Sequence, residues 1–553
     1  MRILHSAIIN CRPMHSVINS NHTRRNLLLL LLAGAFLSCA SARAVKKTRA
    51  KIPRALGPHI DYILRQSPAQ HGFWGIEVVR LRDGRVLFKR NATHLFTPAS
   101  NMKLFTTAAA LEKLGPDYVF HTTVESNTVP DAGGRVGDLI LVGRGDANLG
   151  SRVLPYHLKT ERRIYADAVF RELADQVAAR GVHEVLGNLV ADDSYFLFEP
   201  YGHGWAEEDL EWGYGAPVTA LAFNDNELLL HVQPGPMAGA PALVSLAPLS
   251  DYYQLNNRLE TAGADIRERI FVERAEGSNQ LDVWGQVPVG STVDDGTVSI
   301  DNPPLLIGEM FRKLLEERGI KVRGQVVVKH STRMEAATMA EPVPSTEHRV
   351  VLAEHLSPPL REDIVVINKV SQNLHAEMLL RTLGHEVENF GSSEAGLDVL
   401  NKFAFEAGIS PDEFYFADGS GLSRKALLAP AAVIKILEHM ARSSHFDDYL
   451  DSLPVAGADG TLSGRLERTA ADGSIHAKTG TITHVNALSG YMELPSGEQL
   501  AFSIFGNAHS ASAREGARAA DQIALAIFER FGGRKKIRRR KAAAARKHEP
   551  QDH

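Results

Sequence analysis

The 553-residue sequence predicts an α/β (α+β) fold, in which an antiparallel sheet flanked by helices is interrupted by a large β-rich insertion of one or two domains. Three observations support this prediction. A helix and a hairpin precede residue 119, and a hairpin and a long helix close the chain. Between them, residues 119–346 show short apolar runs separated by Gly, Pro and Asp. The two flanking halves are therefore expected to form one domain.

The N-terminal half starts with an apolar helical pattern over 59–66, followed by strand patterns over 75–79 and 85–88. The strands are separated by Arg82-Asp83-Gly84, and Asp-Gly is a frequent hairpin turn sequence. Residues 101–114 then show a strongly apolar helical pattern, which is typical of a helix buried on most sides.

The insertion and the second half contain further elements. In the insertion, the sequence predicts strands such as 138–142 and 325–328 and helices near 166–180 and 304–318. The second half is predicted to contain helices over 364–383, 396–407 and 430–443, strands over 475–481, 487–493 and 500–505, and a closing helix over 511–531. Pro495-Ser496-Gly497 indicates a hairpin between the last two strands.

Residues 1–44 are predicted to be a cleaved signal peptide, which implies a periplasmic or otherwise extracytoplasmic protein. Arg24 and Arg25 precede an eleven-residue apolar run that is too short to cross a bilayer, and Ala42-Arg43-Ala44 is a small-x-small cleavage site. Sec export is the default. Residues 23–28 also resemble a twin-arginine signal, and lipidation at Cys39 and translation from Met14 stay open.

Several chemistries are excluded by residue type. Cys11 and Cys39 are the only cysteines and both lie in the leader, so the mature chain should have no thiol nucleophile, thiol redox centre or cysteine-ligated zinc. The 23 histidines show no H-E-x-x-H or clustered ligand spacing. Phosphate-loop and dinucleotide fingerprints are absent from the sequence. We therefore expect no metal and no cofactor.

The net charge of −4 conceals a strong asymmetry. Residues 1–44 contain five Arg and no acidic residue, and residues 534–553 contain nine Lys or Arg against two acidic residues, which leaves about −16 on residues 45–533. An acidic body argues against nucleic acid as a partner. The basic tail, 534–553, is either a solvated charge run or a contact with anionic membrane or wall polymer.

The first catalytic candidate is Ser100-Asn101-Met102-Lys103, an S-x-x-K at the start of the apolar helix. Serine often caps helices, but a capping box has Glu or Gln three residues later, whereas Lys103 is a cation that opposes the helix dipole. Serine and lysine at this spacing lie on one helix face, so the amine can reach the hydroxyl. A lysine whose pKa is lowered by burial could then take the serine proton.

Two further motifs follow in the second half. Ser371-Gln372-Asn373 is an S-x-N that could also be an ordinary polar helix start, and Lys478-Thr479-Gly480 is a K-T-G that could also be an edge strand with a gatekeeping lysine. Ser371 follows Ser100 by 271 residues, and Lys478 follows Ser371 by 107. Taken together in this order, the three motifs are improbable by chance.

The three motifs resemble those of the penicillin-recognising serine enzymes, and the long first gap resembles the class C low-molecular-mass penicillin-binding proteins, the D-alanyl-D-alanine carboxypeptidase/endopeptidase family. Segments 115–118, 143–146, 187–190 and 418–424 are also similar to that family, and the resemblance runs from about residue 50 to 531. It implies a serine-type D-Ala-D-Ala carboxypeptidase that acts on peptidoglycan stem peptides and binds β-lactams covalently. DD-endopeptidase activity stays open.

The resemblance also implies a division of the chain. Residues 45–118 and 350–533 would form a β-lactamase/transpeptidase-like catalytic domain. Residues 119–190 and 275–349 would form inserted domain II, and residues 191–274 inserted domain III.

Carried over residue by residue, the resemblance implies a role for each motif position. Ser100 would be the acylated nucleophile and Lys103 its base. Ser371 would relay a proton to the leaving group, Asn373 would hold the substrate amide, and Lys478 would add positive potential.

The resemblance also implies substrate contacts outside these five residues. Thr479 would help bind the terminal carboxylate, Gly480 would lie at the substrate strand, and the backbone N–H of Thr481 would join that of Ser100 in an oxyanion hole. Asp192, with Asp193 as its rival, matches an acidic residue that contacts the free amine of a diaminopimelate-type side chain. Arg424 matches an arginine near the cleft.

Two alternatives stay in view. A serine β-lactamase-type hydrolase shares the motifs but needs a positioned carboxylate and water to hydrolyse its acyl-enzyme, and no such motif follows Ser371. A catalytically spent cell-wall binding protein would have no need for Lys103 at a helix start. The carboxypeptidase is therefore the favoured prediction.

Overall fold

The computed structural model describes residues 53–532, except 157–164, 249–251, 276, 292–295 and 335–348. The predictions for the signal peptide, for Cys11 and Cys39, and for the basic tail lie outside the described residues.

Helices occur throughout the described part of the chain. They are α1 (Leu56–Arg65), α2 (Lys103–Leu114), α3 (Ala168–Ala179), α4 (Pro303–Glu317), α5 (Leu360–Val365), α6 (Asn373–Glu388), α7 (Ser393–Glu406), α8 (Pro430–Met440), α9 (Phe446–Ser452) and α10 (Ala513–Gly532). Among these described helices, none combines the length and apolar composition needed to cross a membrane.

The strands form several separate sheets. They are β1 (Phe73–Arg80), β2 (Arg85–Arg90), β3 (His121–Ser126), β4 (Arg135–Val136), β5 (Leu139–Val142), β6 (Glu184–Val185), β7 (Leu189–Leu197), β8 (Glu227–Gln233), β9 (Leu243–Ala247), β10 (Gln254–Ala262), β11 (Arg269–Glu273), β12 (Gln280–Pro288), β13 (Gly296–Ser299), β14 (Lys321–Val322), β15 (Val326–Ser331), β16 (Val350–Leu356), β17 (Phe414–Tyr415), β18 (Leu427–Leu428), β19 (Ile475–Ile482), β20 (Val485–Glu493) and β21 (Gln499–Asn507).

The two ends of the described chain build one antiparallel sheet, in the order β19-β20-β21-β1-β2. Successive side chains of a strand point to opposite faces. In β21, Phe502 and Ile504 therefore pack with α1 and α10, whereas Ala501 and Phe505 pack with α2 and α8. This layered arrangement of helix, sheet and helix confirms the predicted α/β class and the predicted joining of the two halves.

The helix predicted over 364–383 is wrong in one respect, because it is interrupted at Ser371. Helix α5 continues into a π-helical turn, Val366–Val370, and Ser371 then has φ 68°, in the left-handed region. Helix α6 starts afresh at Asn373, with the Gln372 side chain accepting a hydrogen bond from the backbone N–H of Leu374. Because of this break, Ser371 lies between two helices, and its hydroxyl contacts Lys478 on strand β19, at the edge of the antiparallel sheet.

The insertion supplies the remaining large sheets. One has the order β15-β7-β5-β3-β16, and two three-stranded sheets have the orders β13-β8-β9 and β10-β12-β11. The proposed division into inserted domains stays a prediction. Two of its boundaries fall within sheets, since 190/191 lies inside β7 and 274/275 separates β11 from its partner β12.

Candidate active site

The three motifs meet at one place, although they are far apart in the chain. Ser100 is half-buried in a 3-10 turn, Ala99–Met102, and α2 begins at Lys103, whose Nζ lies 3.0 Å from Ser100 Oγ. Lys103 Nζ also donates to Asn373 Oδ1 at 2.6 Å. Lys478 Nζ donates to Ser371 Oγ at 2.8 Å. The structure thus brings the five predicted catalytic residues into one cluster.

The surroundings of Lys103 favour a neutral amine. Its side chain is fully buried, and this burial lowers its pKa to about 7, although the carboxylates of Asp418 and Glu377 act in the opposite direction. Its other hydrogen-bond partners, Asn373 Oδ1 and the Ser420 carbonyl at 2.7 Å, can only accept. A neutral amine has two N–H groups and one lone pair, so with both N–H groups donated its lone pair is left for Ser100.

Lys478 is also fully buried, which contradicts the alternative of a gatekeeping lysine on an edge strand. Its pKa is lowered well below the ordinary value, first by burial and then by the charge of Lys103. Its Nζ donates to the Thr479 carbonyl at 2.9 Å as well as to Ser371. Lys478 therefore lies on the inner side of β19, facing the other motifs.

Strand β19 is the end strand of its sheet. It packs directly against the turn Ala99–Met102, which contains Ser100. A Cβ on Gly480 would lie 2.9 Å from the Pro98 carbonyl and 3.2 Å from Ala99 Cβ, so this position accommodates glycine best. The Asn101 side chain donates to the Lys478 carbonyl at 3.1 Å and fastens the strand to the turn. The K-T-G glycine therefore permits the close approach that places Ser100 beside the strand.

Thr479 and Thr481 lie farther along the same strand. Thr479 is 7% exposed and its hydroxyl donates to Thr461 Oγ1 at 2.8 Å. The Thr481 hydroxyl accepts a bond of 3.2 Å from the Asn486 side chain, and Thr481 lines the cleft above Ser100.

A cleft of about 300 Å³ opens over Ser100. It is lined by Ser100, Asp209, Tyr214, Ser371, Asn373, Gly421, Leu422, Arg424, Thr481, Ile482 and Thr483. Arg424 is therefore part of the cleft, where its Nη1 donates to Asp209 Oδ2 at 3.0 Å. The cleft thus presents a carboxylate and a guanidinium side by side.

Asp192 lies elsewhere, and the structure does not bring it to this cleft. Its side chain is 3% exposed, and its Oδ2 accepts from Lys329 Nζ at 3.1 Å in the sheet of the insertion. Although burial opposes its charge, hydrogen bonds from Ser194 and the charge of Lys329 lower its pKa. Its rival Asp193 is likewise buried and contacts His330 Nδ1 at 2.6 Å. The acidic side chain of the cleft is instead Asp209.

Sequence reasoning missed the residues that hold the motifs in place. Glu377, one turn after Asn373 on α6, accepts bonds of 2.8 Å from the backbone N–H groups of Gly419 and Ser420. These bonds fix the Ser420 carbonyl that Lys103 contacts. Helical spacing from Asn373 could have identified Glu377. For Tyr214, whose carbonyl accepts from the Asn373 side chain at 2.8 Å, the sequence offers no signal.

Within the described ranges, no group of three or more His, Cys, Asp or Glu side chains is arranged to hold a metal ion.

Comparison with known proteins agrees with this geometry. The family model described as D-Ala-D-Ala carboxypeptidase 3 (S13) matches residues 56–527. A D-alanyl-D-alanine carboxypeptidase of Actinomadura sp. (strain R39) is 36% identical over 517 residues, which are 92% of this chain and 89% of that relative. The D-alanyl-D-alanine carboxypeptidase DacB of Haemophilus influenzae is 26% identical over 448 residues, which are 79% of this chain and 85% of that relative.

A solved structure shows the same fold. The crystal structure of penicillin-binding protein 4 from Haemophilus influenzae has a TM-score of 0.71 at 24% identity, and the match covers 85% of this chain and 98% of that one. The family model spans most of the sequence and includes all three motifs. The chain therefore belongs to the D-Ala-D-Ala carboxypeptidase 3 (S13) family.

Proposed function

We propose that the protein is a serine-type D-Ala-D-Ala carboxypeptidase that acts through an acyl-enzyme on Ser100. The position of the Lys103 amine supports this most directly. Its Nζ lies 3.0 Å from Ser100 Oγ and donates hydrogen bonds to Asn373 Oδ1 and to the Ser420 carbonyl. The name of the Actinomadura relative, 36% identical over most of both chains, supports the substrate class.

Acylation starts with proton transfer. Neutral Lys103 takes the Ser100 proton while Oγ attacks the carbonyl carbon of the penultimate D-Ala. The oxyanion accepts hydrogen bonds from the backbone N–H groups of Ser100 and Thr481, two residues that line the cleft. When the C–N bond breaks, Ser371 gives its proton to the leaving amine and is reprotonated by Lys478, 2.8 Å away.

Substrate binding and deacylation use the same residues. Thr479 binds the terminal carboxylate, whose charge also favours the protonated form of Lys478. Before deacylation, Lys103 releases to solvent the proton that it took from Ser100, and Lys478 takes up a proton in place of the one that it gave to Ser371. Water then attacks the ester, neutral Lys103 accepts a proton from it and returns that proton to Ser100 Oγ, and the shortened peptide leaves as a carboxylic acid. A β-lactam follows the same acylation, but its leaving nitrogen stays tethered, so the adduct persists.

Two measurements test the function. Liquid chromatography should show release of one D-Ala from a soluble pentapeptide stem, and mass spectrometry after incubation with a penicillin should locate a covalent adduct on Ser100. A rapidly lost adduct without D-Ala release would favour the β-lactamase alternative. No adduct and no release would favour the cell-wall binding protein. The balance with DD-endopeptidase activity needs a cross-linked substrate.

Asp209 is proposed for the amine contact predicted for Asp192, because it lines the cleft. A stem side chain ending in an amine and a carboxylate would match the charges of Asp209 and Arg424. We expect Asp209→Asn to lower kcat/KM about ten- to a hundredfold for a stem with a free amine, and much less for its N-acetylated form. Asp192→Asn, which removes an acid paired with Lys329, is the matched control. Selective loss in Asp192→Asn instead would reverse the assignment.

Export through the signal peptide over 1–44 is part of the same proposal, since the substrate is outside the cytoplasm. The basic tail, 534–553, is proposed to contact anionic membrane or wall polymer. Its removal should leave D-Ala release unchanged and weaken co-sedimentation with anionic vesicles, most strongly at low salt, where the Debye length is longest. Equal sedimentation of both proteins at both salt concentrations would leave the tail as a solvated charge run.

A further inference from the structure

A buried histidine, His375, lies in the first turn of α6, shortly after Ser371 and Asn373. It does not line the cleft, and the proposed mechanism gives it no task. Its Nδ1 lies 2.7 Å from Asp363 Oδ1, and its Nε2 lies 3.0 Å from Asp225 Oδ1. Both ring nitrogens therefore face a carboxylate oxygen.

This arrangement favours a protonated ring at His375. A neutral imidazole has a single N–H group, so one of its nitrogens would direct a lone pair at a carboxylate, whereas an imidazolium can donate to both. Although burial opposes the charge, the carboxylates of Asp363 and Asp225 raise the pKa of His375 to about 9. His375 is therefore a buried cation at neutral pH.

Three further titratable or charged side chains belong to the same cluster, namely Asp146, Arg152 and His355. Arg152 Nη2 donates to Asp225 Oδ2. Burial raises the pKa of Asp146 to about 7. His355 Nε2 lies 3.9 Å from Asp146, and burial lowers the pKa of His355. Asp146 and His355 thus keep a constant charge near pH 9, where His375 loses its proton.

The two carboxylates that face His375 come from different parts of the fold. Asp363 lies on α5, before the break at Ser371, whereas His375 lies on α6, after it. Asp225 lies in the insertion, in a turn where its own φ is 62°. The histidine therefore joins the two helices on either side of Ser371 to each other and to the insertion.

The segment before the break has a tie of its own. Lys369, in the π-helical turn that precedes Ser371, forms an ion pair with Asp459. Left-handed backbone such as that of Ser371 costs free energy and persists where its surroundings fix it. His375 supplies the corresponding tie for the segment after the break. Loss of this tie would let Ser371 and Asn373 move relative to the two lysines of the site.

The energetics of the cluster also favour a role in geometry. A cation in the first turn of a helix opposes the helix dipole. Moving charges out of water costs free energy that the attraction between them offsets only in part. An apolar side chain in place of His375 would avoid both costs. A need for fixed geometry at Ser371 explains this residue better than stability does.

We propose that His375 is a positioning residue, which as an imidazolium ties α5 to α6 across the break and so keeps Ser371 and Asn373 beside the two lysines of the site. This inference rests on the proposed function, in which those two side chains act on the substrate. The folded protein holds the histidine proton more tightly than the unfolded chain does. Its contribution to stability is therefore complete below about pH 6.5 and is lost as the pH rises through about 9.

The test follows the second-order rate constant for penicillin labelling across the pH range. For the wild type we expect a rise through about pH 7, where Lys103 loses its proton, and a fall through about pH 9, where His375 does. A glutamine amide cannot donate to both carboxylates from opposite sides. His375→Gln should therefore label about tenfold more slowly near neutral pH and lack the alkaline fall. Above the fall, the two rates should approach each other, since both proteins then lack the cation.

A second variant tests the origin of the alkaline fall. Asp363→Asn keeps the shape of the acid but removes a charge that faces His375, so the fall should move to lower pH by about one unit or more. A merely structural defect would slow labelling at every pH without moving the fall. His330→Gln is the matched control. It replaces another histidine paired with a carboxylate, Asp193 in the sheet of the insertion, and should keep the wild-type profile.

Each outcome decides one question. A wild-type rate that stays constant through pH 9 would overturn the inference and leave the proposed function intact. The same holds for an alkaline fall at one pH in the wild type, His375→Gln and Asp363→Asn. A wild-type protein that is labelled at no pH would overturn the proposed function, and this inference with it. Melting temperatures at each pH restrict the comparison to folded protein, and if His375→Gln fails to fold, the shift in Asp363→Asn decides.

Discussion

Ser100→Ala is expected to abolish penicillin labelling and to lower D-Ala release by at least about a thousandfold. Without Oγ no ester can form, and a water molecule in its place would lack the fixed position beside Lys103. The fold should survive, because Lys103 keeps its bonds to Asn373 and to the Ser420 carbonyl. Labelling with a fluorescent penicillin, D-Ala release and thermal melting are measured on the same preparation.

Ser489→Ala is a suitable control for this substitution. Ser489 is a buried serine of β20 whose hydroxyl donates to Ser503 Oγ at 3.0 Å, and it does not line the cleft. It should label at the wild-type rate. Persistent labelling of Ser100→Ala at a rate near that of wild type would assign the nucleophile to another residue.

Much of the fold could be predicted because its patterns are local. Successive side chains of the central strands point to two buried faces, as those of Ala501 and Phe502 do. In the helices around the sheet, apolar residues recur every three to four positions. The break at Ser371 was not predictable from such a repeat, although the alternative interpretation of the S-x-N motif placed a helix start there. Neither Gly nor Pro marks it, and the contact of Ser371 Oγ with Lys478 comes from 107 residues later in the chain.

The residues of the site also separate into those set by local sequence patterns and those set by distant contacts. Motif residues could be predicted because S-x-x-K, S-x-N and K-T-G each place two side chains at a fixed local spacing. The acid of the cleft could not, because Asp192 and Asp209 are equivalent as residue types. Asp192 pairs with Lys329 on the neighbouring strand, away from the cleft. Asp209 pairs with Arg424, which holds it at the cleft. Both partners are distant in sequence.

Lys103→Arg should remove acylation almost as completely as loss of the serine. A guanidinium has a pKa of about 12 or higher and stays protonated near neutral pH, so it cannot accept the Ser100 proton. The wild-type enzyme should show the complementary pH dependence. Its Lys103 pKa is about 7, so the amine is protonated and inactive below this pH and neutral and active above it. The second-order rate constant for penicillin labelling should therefore rise through about pH 7.

Two further variants make this result interpretable. Lys103→Met keeps a flexible side chain of similar length in the buried site but has no lone pair of comparable basicity, so it should also fail to label even if the bulkier arginine disturbs packing. Lys113→Arg, on the same helix at the surface beside Glu406, should label at the wild-type rate. If Lys103→Arg labelled at normal speed, or if the wild-type rate increased as the pH fell below 7, the base would have to be a different group. Lys478 would then be the nearest remaining candidate, since it too is a buried amine with a lowered pKa.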